Sequence, residues 1–195
     1  MRTGKIVYFD RAGQGNTAAV IEVVRERCAE LDIEHVVVAS DSGETALRLW
    51  EALRDTGVTL ISVPEHAGYA GGDAPSITPE KKKELEEKGI HVLICAHALS
   101  GVGRSISKKF GGITPTEIIA HTLRRFGGDG IKVAVEIAVM AADAGLIPTD
   151  REIIAVGGSG GGADVAIVLK AAHMSNFFDL EIREILAKPR QRSSK

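Results

Sequence analysis

The pattern that most constrains the fold is a series of short, nearly continuous apolar runs separated by longer amphipathic stretches. The runs lie at residues 6–9, 35–39, 58–63, 91–96 and 152–156. Between them, apolar residues recur at helical spacing, as in residues 17–31. Strands that are apolar along their whole length are typical of a parallel sheet covered on both faces. The sequence therefore predicts an α/β fold, a mainly parallel sheet with helices on both faces.

The C-terminal half continues this pattern less regularly. Thr114, as cap, and Pro115, at the first helical position, predict a helix over residues 114–126, and a second helix is predicted at about 131–144. Apolar residues alternate after Asp164, which predicts a further strand, whereas residues 177–188 fit either a strand or a helix. Since no repeat or linker interrupts the chain, we expect one domain over residues 1–195.

Composition limits the class of protein. The chain has 195 residues, and its 24 basic and 26 acidic residues create no overall field that would attract nucleic acid or an anionic membrane. No apolar run approaches the roughly 20 residues that cross a bilayer, and no signal-peptide pattern precedes Asp10. Cys28 and Cys95 lack metal-ligand spacing. We expect a cytoplasmic protein without nucleic-acid or membrane partners.

The first candidate site is the turn SDSGET, residues 40–45, between an apolar run and a helical pattern. The first N–H groups of a helix are unpaired, and the helix dipole favours anions there. The groups that suit a phosphate are the following: Ser40, Ser42, Gly43 and Thr45. The same serines also suit a plain helix cap, and the carboxylates of Asp41 and Glu44 weaken an anion site unless they point away. The residues alone leave both interpretations open.

Two long segments carry a resemblance to a known family. Residues 19–63, AVIEVVRERCAELDIEHVVVASDSGETALRLWEALRDTGVTLISV, and residues 131–158, IKVAVEIAVMAADAGLIPTDREIIAVGG, resemble the pyruvate kinase C-terminal domain. Residues 65–128 have no clear equivalent there and are expected to be a family-specific insertion. The chain is similar to the stand-alone proteins of this type found mainly in archaea, and no kinase catalytic barrel is present, so we expect no pyruvate kinase activity.

The resemblance implies a fold and a ligand. It implies the fold of the pyruvate kinase C-terminal domain, with a phosphate held by the hydroxyl and backbone groups of SDSGET. For the stand-alone proteins it implies FMN as the bound ligand, with no established reaction. The alternative is a non-catalytic sensor of a sugar phosphate or another phosphorylated metabolite.

Three further loops are candidate ligand sites. After the run at 91–96, residues 100–109 are read as a loop in which Arg104 contacts phosphate through two N–H groups, or alternatively as a solvated basic loop. Residues 156–164 form a glycine loop, either a backbone nest or a flexible turn. In residues 11–17 a helix cap is favoured, and this loop and SDSGET would share a ligand if the first two strands were neighbours. The residues of these loops that are candidates for binding a phosphorylated ligand are Ser100, Gly101, Arg104, Ser105, Gly158, Gly160, Gly161, Asn16 and Thr17.

Acid–base candidates are few. His66 and His97 lie in predicted loops, where an imidazole can transfer protons near neutral pH. Lys132, Glu136 and Asp143 share one stripe of an apolar helix, which is either the wet face of that helix or a carboxylate pair aimed into a site. We therefore keep His66, His97 and Glu136 as catalytic candidates, and expect no metal site. An exposed sheet edge or helix face is compatible with a homo-oligomer.

Overall fold

The computed structural model describes residues 1 and 3–191, and in this part of the chain seven strands form one sheet. The strands are β1 (Val7–Arg11), β2 (His35–Ala39), β3 (Thr59–Val63), β4 (His91–Val92), β5 (Glu152–Gly157), β6 (Val165–Lys170) and β7 (Glu181–Gln191). The α-helices are α1 (Thr17–Leu31), α2 (Glu44–Leu53), α3 (Pro79–Glu87), α4 (Gly101–Phe110), α5 (Pro115–Gly127) and α6 (Asp129–Asp143). Short 3₁₀ turns occupy Gln14–Asn16 and Met174–Asp179.

The sheet has the order β1-β7-β6-β5-β2-β3-β4. Every neighbouring pair is parallel except the two pairs that include β6. The short connection between β5 and β6 explains this reversal, because a parallel pair requires a crossover of a dozen or more residues. The predicted α/β class with a mainly parallel sheet is confirmed.

Helices cover both faces of the sheet. On one face, α1, α2 and α3 pack over strand residues such as Val36 and Val38. On the other face, α6 packs over the alternate residues, including Val37. All three of these valines are fully buried. Because successive strand residues point to opposite faces, two apolar faces produce the continuous apolar runs of the sequence.

The order of the strands corrects one expectation. β1 is not beside β2, because β7, β6 and β5 lie between them. β1 pairs instead with β7, which is the segment whose type the sequence left open. A ligand shared by the N-terminal loop and SDSGET was expected only if β1 and β2 were neighbours. Since they are not, that condition is not met.

The fourth strand is shorter than its apolar run. Only His91 and Val92 pair with β3, although the Leu93 N–H still donates to the Ser62 carbonyl oxygen at 2.9 Å. Beyond that bond the chain leaves the sheet edge and runs towards α4. The predicted strand over 91–96 was thus too long, and the residues that leave the sheet carry part of the candidate site.

No helix in the described residues is both long and apolar enough to cross a membrane.

His35, the first residue of β2, makes the stability of the fold depend on pH. Its Nδ1 is buried and has no hydrogen-bond partner among the described residues. The pKa of His35 lies below its usual value, mainly because burial disfavours the charged imidazole. The nearby Glu34 carboxylate partly opposes this effect, and the Arg151 guanidinium adds to it. The unfolded chain therefore takes up a proton near pH 6.5, whereas the folded chain does so only at lower pH. Stability is consequently lost as the pH falls below about 6.5.

We expect the wild type to lose stability relative to His35→Gln between about pH 7.5 and pH 5.5, with a slope of at most about 1.4 kcal/mol per pH unit. Urea unfolding of both proteins at the two pH values measures this difference. A difference that does not change with pH would contradict the assignment.

Candidate functional site

The candidate loops lie along one edge of the sheet. β1, β2, β3, β4 and β5 run in the same direction, so their carboxyl ends meet at this edge. Ligands of open α/β sheets bind at such an edge. The loops form two groups, one beyond β2, β3 and β4 and the other beyond β1 and β5.

Three rings meet beyond β3 and β4. His66 and Tyr69 come from the loop after β3, and His97 comes from the segment between β4 and α4. Their centroids lie 4.9 Å apart for His66 and His97, 5.1 Å for Tyr69 and His97, and 5.8 Å for His66 and Tyr69, all edge to face. We call these residues the His–Tyr cluster. The Arg104 guanidinium carbon lies 5.5 Å from the centroid of the Tyr69 ring. The two predicted histidines are thus brought together with the predicted arginine.

Tyr69 was missed by the sequence analysis. It lies in a Gly- and Pro-rich loop, where no periodic pattern marks any one residue. The only available signal was that it is one of two tyrosines in a chain with 4% aromatic residues.

Residues 101–110 form helix α4, so the prediction of a loop here was wrong. Gly101 and Gly103 have low helix propensity and obscured the helix. In the fold, Gly103 allows close approach to α5, because a Cβ there would lie 3.0 Å from the Thr114 and Thr116 hydroxyls. The Ser107 hydroxyl also donates to the Glu117 carboxylate at 2.5 Å. Contact with α5 therefore overrides the weak propensity.

The helix presents its predicted binding residues in different ways. Arg104 and Ser105 are exposed, and Gly101 forms the first turn with a φ of +33°. Ser100 occupies the N-cap position without a side-chain capping bond. No residue of α4 is buried, so the helix lies on the surface and carries Arg104 towards the His–Tyr cluster.

A buried ion pair lies under the segment that carries His97. Lys132 and Glu136, on α6, are 5% and 3% exposed and form a salt bridge. The second carboxylate oxygen of Glu136 accepts a hydrogen bond from the Leu99 N–H at 2.8 Å. Burial lowers the pKa of Lys132, although Glu136 opposes this effect. Both oxygens of Glu136 are thus engaged, and this carboxylate is not free to act as a base.

The polar stripe of α6 does not act as a unit. Lys132 and Glu136 are buried, so the wet-face interpretation is wrong for them. Asp143 lies at the far end of the helix, where its carboxylate contacts the His173 imidazole at 3.1 Å and accepts from the Met174 N–H at 3.1 Å. Of these three residues, only Glu136 hydrogen-bonds to the segment that carries His97.

His97 has the most perturbed environment of the cluster. Burial lowers the pKa of His97, Glu136 opposes that effect, and Lys132, His66 and Arg104 add to it. The imidazole is therefore mainly neutral at pH 7 and can accept a proton there. His97 thus stays the leading acid–base candidate of the site.

In SDSGET, the two serines cap helix α2. The Ser40 hydroxyl accepts from the Ala46 N–H at 3.2 Å, and the Ser42 hydroxyl accepts from the Glu44 N–H at 3.5 Å. Gly43 occupies the N-cap position with a φ of +84°. Thr45 is buried in the first turn. These bonds correspond to the plain-cap interpretation, and a phosphate at this turn would have to compete with them.

The two acidic residues of this turn are held by other groups. Asp41 accepts from the Glu65 N–H at 3.0 Å, and Glu44 pairs with the Lys81 ammonium at 3.0 Å. Burial raises the pKa of Glu65, and the nearby Asp41 raises it further. Because Glu65 immediately precedes His66, the Asp41 bond ties the turn to the loop that carries the His–Tyr cluster.

The second group joins the glycine loop to the N-terminal loop. The Thr17 hydroxyl accepts from the Ala163 N–H at 3.0 Å and donates to the Gln14 carbonyl oxygen at 2.7 Å. The Gly13 N–H donates to Asp164 at 2.8 Å. These bonds bring the two predicted loops together. The Thr17 hydroxyl is engaged by hydrogen bonds within the protein.

The remaining residues of this group have structural surroundings. Asn16 occupies the N-cap position of α1, but its side chain donates to the Arg11 carbonyl oxygen at 2.8 Å and does not cap the helix. The helix-cap interpretation of residues 11–17 is therefore wrong for this side chain. A Cβ on Gly158 would collide with the Gly162 carbonyl group. Gly160 and Gly161 have φ values of +79° and +117°, which favour glycine.

An apolar cavity of about 340 Å³ lies between the loop after β3 and the segment after β4. Its walls are formed by Ala74, Pro75, Ser76, Ile77, Thr78, Pro79, Lys82 and Ile94. The same two segments carry the rings of the His–Tyr cluster.

In the described part of the chain, no group of three or more His, Cys, Asp or Glu side chains could hold a metal ion.

Comparison with solved structures gives pyruvate kinases of Cryptosporidium parvum. One is 16% identical over 80% of this chain and 23% of that chain, with a TM-score of 0.42. A second is 15% identical over 79% and 22%, with a TM-score of 0.39, and an ADP complex is 17% identical over 88% and 23%, with a TM-score of 0.38. The chain thus spans less than a quarter of the length of these kinases. The family model described as pyruvate kinase, alpha/beta domain, matches residues 18–169, and the chain belongs to that family.

Proposed function

We propose that this chain binds a phosphorylated ligand, with FMN as the leading candidate, at the carboxyl ends of β2, β3 and β4. The observation that carries the proposal is the position of Arg104 over Tyr69, beside His66 and His97. An arginine offers paired N–H donors that match phosphate, and aromatic rings offer faces and edges to a flat ligand. Rings from two separate segments and the guanidinium of α4 converge here, and this convergence supports a binding role.

The residues of the site fit FMN. The His–Tyr cluster would contact the flavin ring, and Arg104 would hold the phosphate. When bound, FMN supplies a ring that accepts and returns electrons. The chain itself would bind and orient the ligand, and the neutral His97 could accept a proton.

Arg104 is the favoured phosphate residue because it is available. Within residues 1 and 3–191, no carboxylate lies within ion-pair distance of its guanidinium. In contrast, Ser40 and Ser42 already accept from N–H groups of α2. A ligand phosphate would therefore meet Arg104 without breaking an existing bond.

A sensor of a sugar phosphate is the second candidate. The carboxylates of Asp41 and Glu65 lie near each other at the same sheet edge, and ionised carboxylates accept hydrogen bonds from sugar hydroxyls. In this version Arg104 would still hold the phosphate. The two candidates differ in what binds beside it, a flavin ring or a polyol.

Titration of the purified chain with FMN, riboflavin and a hexose bisphosphate separates these candidates. We expect quenching of flavin fluorescence with FMN, and weaker quenching with riboflavin, which has no phosphate. Stabilisation against heat by the hexose bisphosphate without any response to FMN would select the sensor. No response to any of the three would overturn the proposal.

Replacing Arg104 tests the phosphate contact. We expect Arg104→Met to weaken FMN binding by roughly 10- to 100-fold, as for loss of a charge-assisted hydrogen bond, and to change riboflavin binding little. The control is Arg125→Met, the same change on α5, where the Arg125 Nε donates to the His121 carbonyl oxygen of its own helix. Equal loss in both variants would show a general effect of charge and would contradict the contact.

A further inference from the structure

The ion pair of Lys132 and Glu136 is unexpected in its surroundings. All other residues of α6 from Ile131 to Ala142, apart from the half-buried Val133, are buried apolar residues. Burying two charges is costly, and well-packed apolar residues in place of such a pair are often neutral or stabilising. The packing of α6 against the sheet therefore does not require this pair.

Among the residues that the structure describes, the pair makes one hydrogen bond outside α6, and that bond reaches the candidate site. The Glu136 carboxylate accepts from the Leu99 N–H, and Leu99 is 4% exposed. Leu99 lies two residues after His97 and five residues before Arg104. The start of α4 is held by this bond and by the contacts of α4 with α5, such as the bond from Ser107 to Glu117.

We infer that Lys132 and Glu136 are positioning residues, which hold the segment 97–104 so that His97 and Arg104 both face His66 and Tyr69. Lys132 orients the Glu136 carboxylate through their salt bridge, and the carboxylate accepts from the Leu99 N–H. Neither residue contacts the ligand. The inference deepens the proposed function and rests on it for the role of the cluster.

The charges that face His97 provide a direct readout. Glu136 and Lys132 face it from α6, His66 from the loop after β3, and Arg104 from α4. Of these, only Glu136 favours the protonated imidazole. Removing the Glu136 charge should therefore lower the pKa of His97, whereas losing the acceptor for the Leu99 N–H should move the segment and weaken ligand binding.

The experiment is NMR titration of the His97 ring in the Glu136→Gln variant. Glutamine keeps an oxygen that accepts from the Leu99 N–H, so the backbone bond can persist while the charge is lost. In Glu136→Gln we expect the pKa of His97 to fall by about half a unit or more and FMN affinity to change by less than about threefold. In Lys132→Met with Glu136→Met, which also removes the acceptor for the Leu99 N–H, we expect FMN affinity to fall by at least about threefold. In the double variant Lys132→Met with Glu136→Gln, which has no unpaired buried charge, the pKa should be higher than in Glu136→Gln alone.

The matched control is Glu117→Gln. Glu117 also accepts from a backbone N–H, that of Thr114 at 2.8 Å, but it is not among the groups that face His97. We expect Glu117→Gln to lower the stability of the fold by weakening the cap of α5, and to leave the pKa of His97 unchanged.

Unchanged FMN affinity in Lys132→Met with Glu136→Met would overturn the inference, as would an unchanged pKa of His97 in Glu136→Gln or an equal pKa shift in Glu117→Gln. If FMN does not bind the wild type, the proposed function fails, and the His97 titration still decides whether the pair acts on this ring.

Discussion

Replacing Gly157 by alanine is expected to lower the free energy of unfolding by about 3 kcal/mol or more. Gly157 is the last residue of β5, where α6 crosses the sheet. A Cβ at this position would collide with the Gly130 carbonyl oxygen and lie 3.1 Å from the Ala134 nitrogen. Both neighbours are backbone atoms of a buried helix, so they cannot move aside as a flexible side chain would.

Urea unfolding of Gly157→Ala against the wild type measures this effect. The control is Gly15→Ala, because no atom lies within 4 Å of a Cβ at Gly15. We expect the control to change stability by less than about 0.5 kcal/mol. If Gly157→Ala were as stable as Gly15→Ala, the close approach of α6 to β5 would be wrong.

The second large effect is expected from breaking the buried ion pair. Lys132→Met leaves the buried Glu136 carboxylate without its ion-pair partner, and Glu136→Gln leaves the buried Lys132 ammonium without its ion-pair partner. Removing one partner of a buried pair typically costs about 3–5 kcal/mol, because the remaining charge is uncompensated. The double variant removes both charges and keeps an acceptor for the Leu99 N–H. It should be more stable than either single variant.

A double-mutant cycle in urea unfolding at pH 7 measures this coupling. The exposed pair Lys83–Glu87 is the control, since it has the same i, i+4 spacing and an N–O distance of 3.7 Å. Surface pairs of this kind contribute about 0.3–0.5 kcal/mol. A coupling of similar size for Lys132 and Glu136 would contradict the buried character of the pair.

Much of the fold could be predicted because local patterns reflect burial. The valines of β2 are apolar on both faces, which indicated helices on both sides of the sheet. Thr114 and Pro115 marked the start of α5, and the capping box that the structure shows there confirms the cap. The order of the strands depends on the pairing of β7 between β1 and β6, and no local pattern specifies a pairing between distant segments.

The candidate site was predicted in part. His66, His97 and Arg104 were selected from their loops, and the structure brings them together. Tyr69 was missed, and the wet-face interpretation of the stripe on α6 is wrong for Lys132 and Glu136, because the burial of these side chains depends on other elements. FMN binding, the homo-oligomer, the cytoplasmic location, the single domain and the insertion at 65–128 stay predictions.

The sequence by itself determined the α/β class, since the spacing of apolar residues along the chain follows directly from which faces are buried. It also placed the polar candidates after the strands, at the edge where parallel strands end together. Only the tertiary structure decided that α4 is a helix and that Glu136 binds Leu99 instead of solvent. The physical reason is that both depend on contacts between segments far apart in the chain, and the local sequence does not encode which partner will supply them.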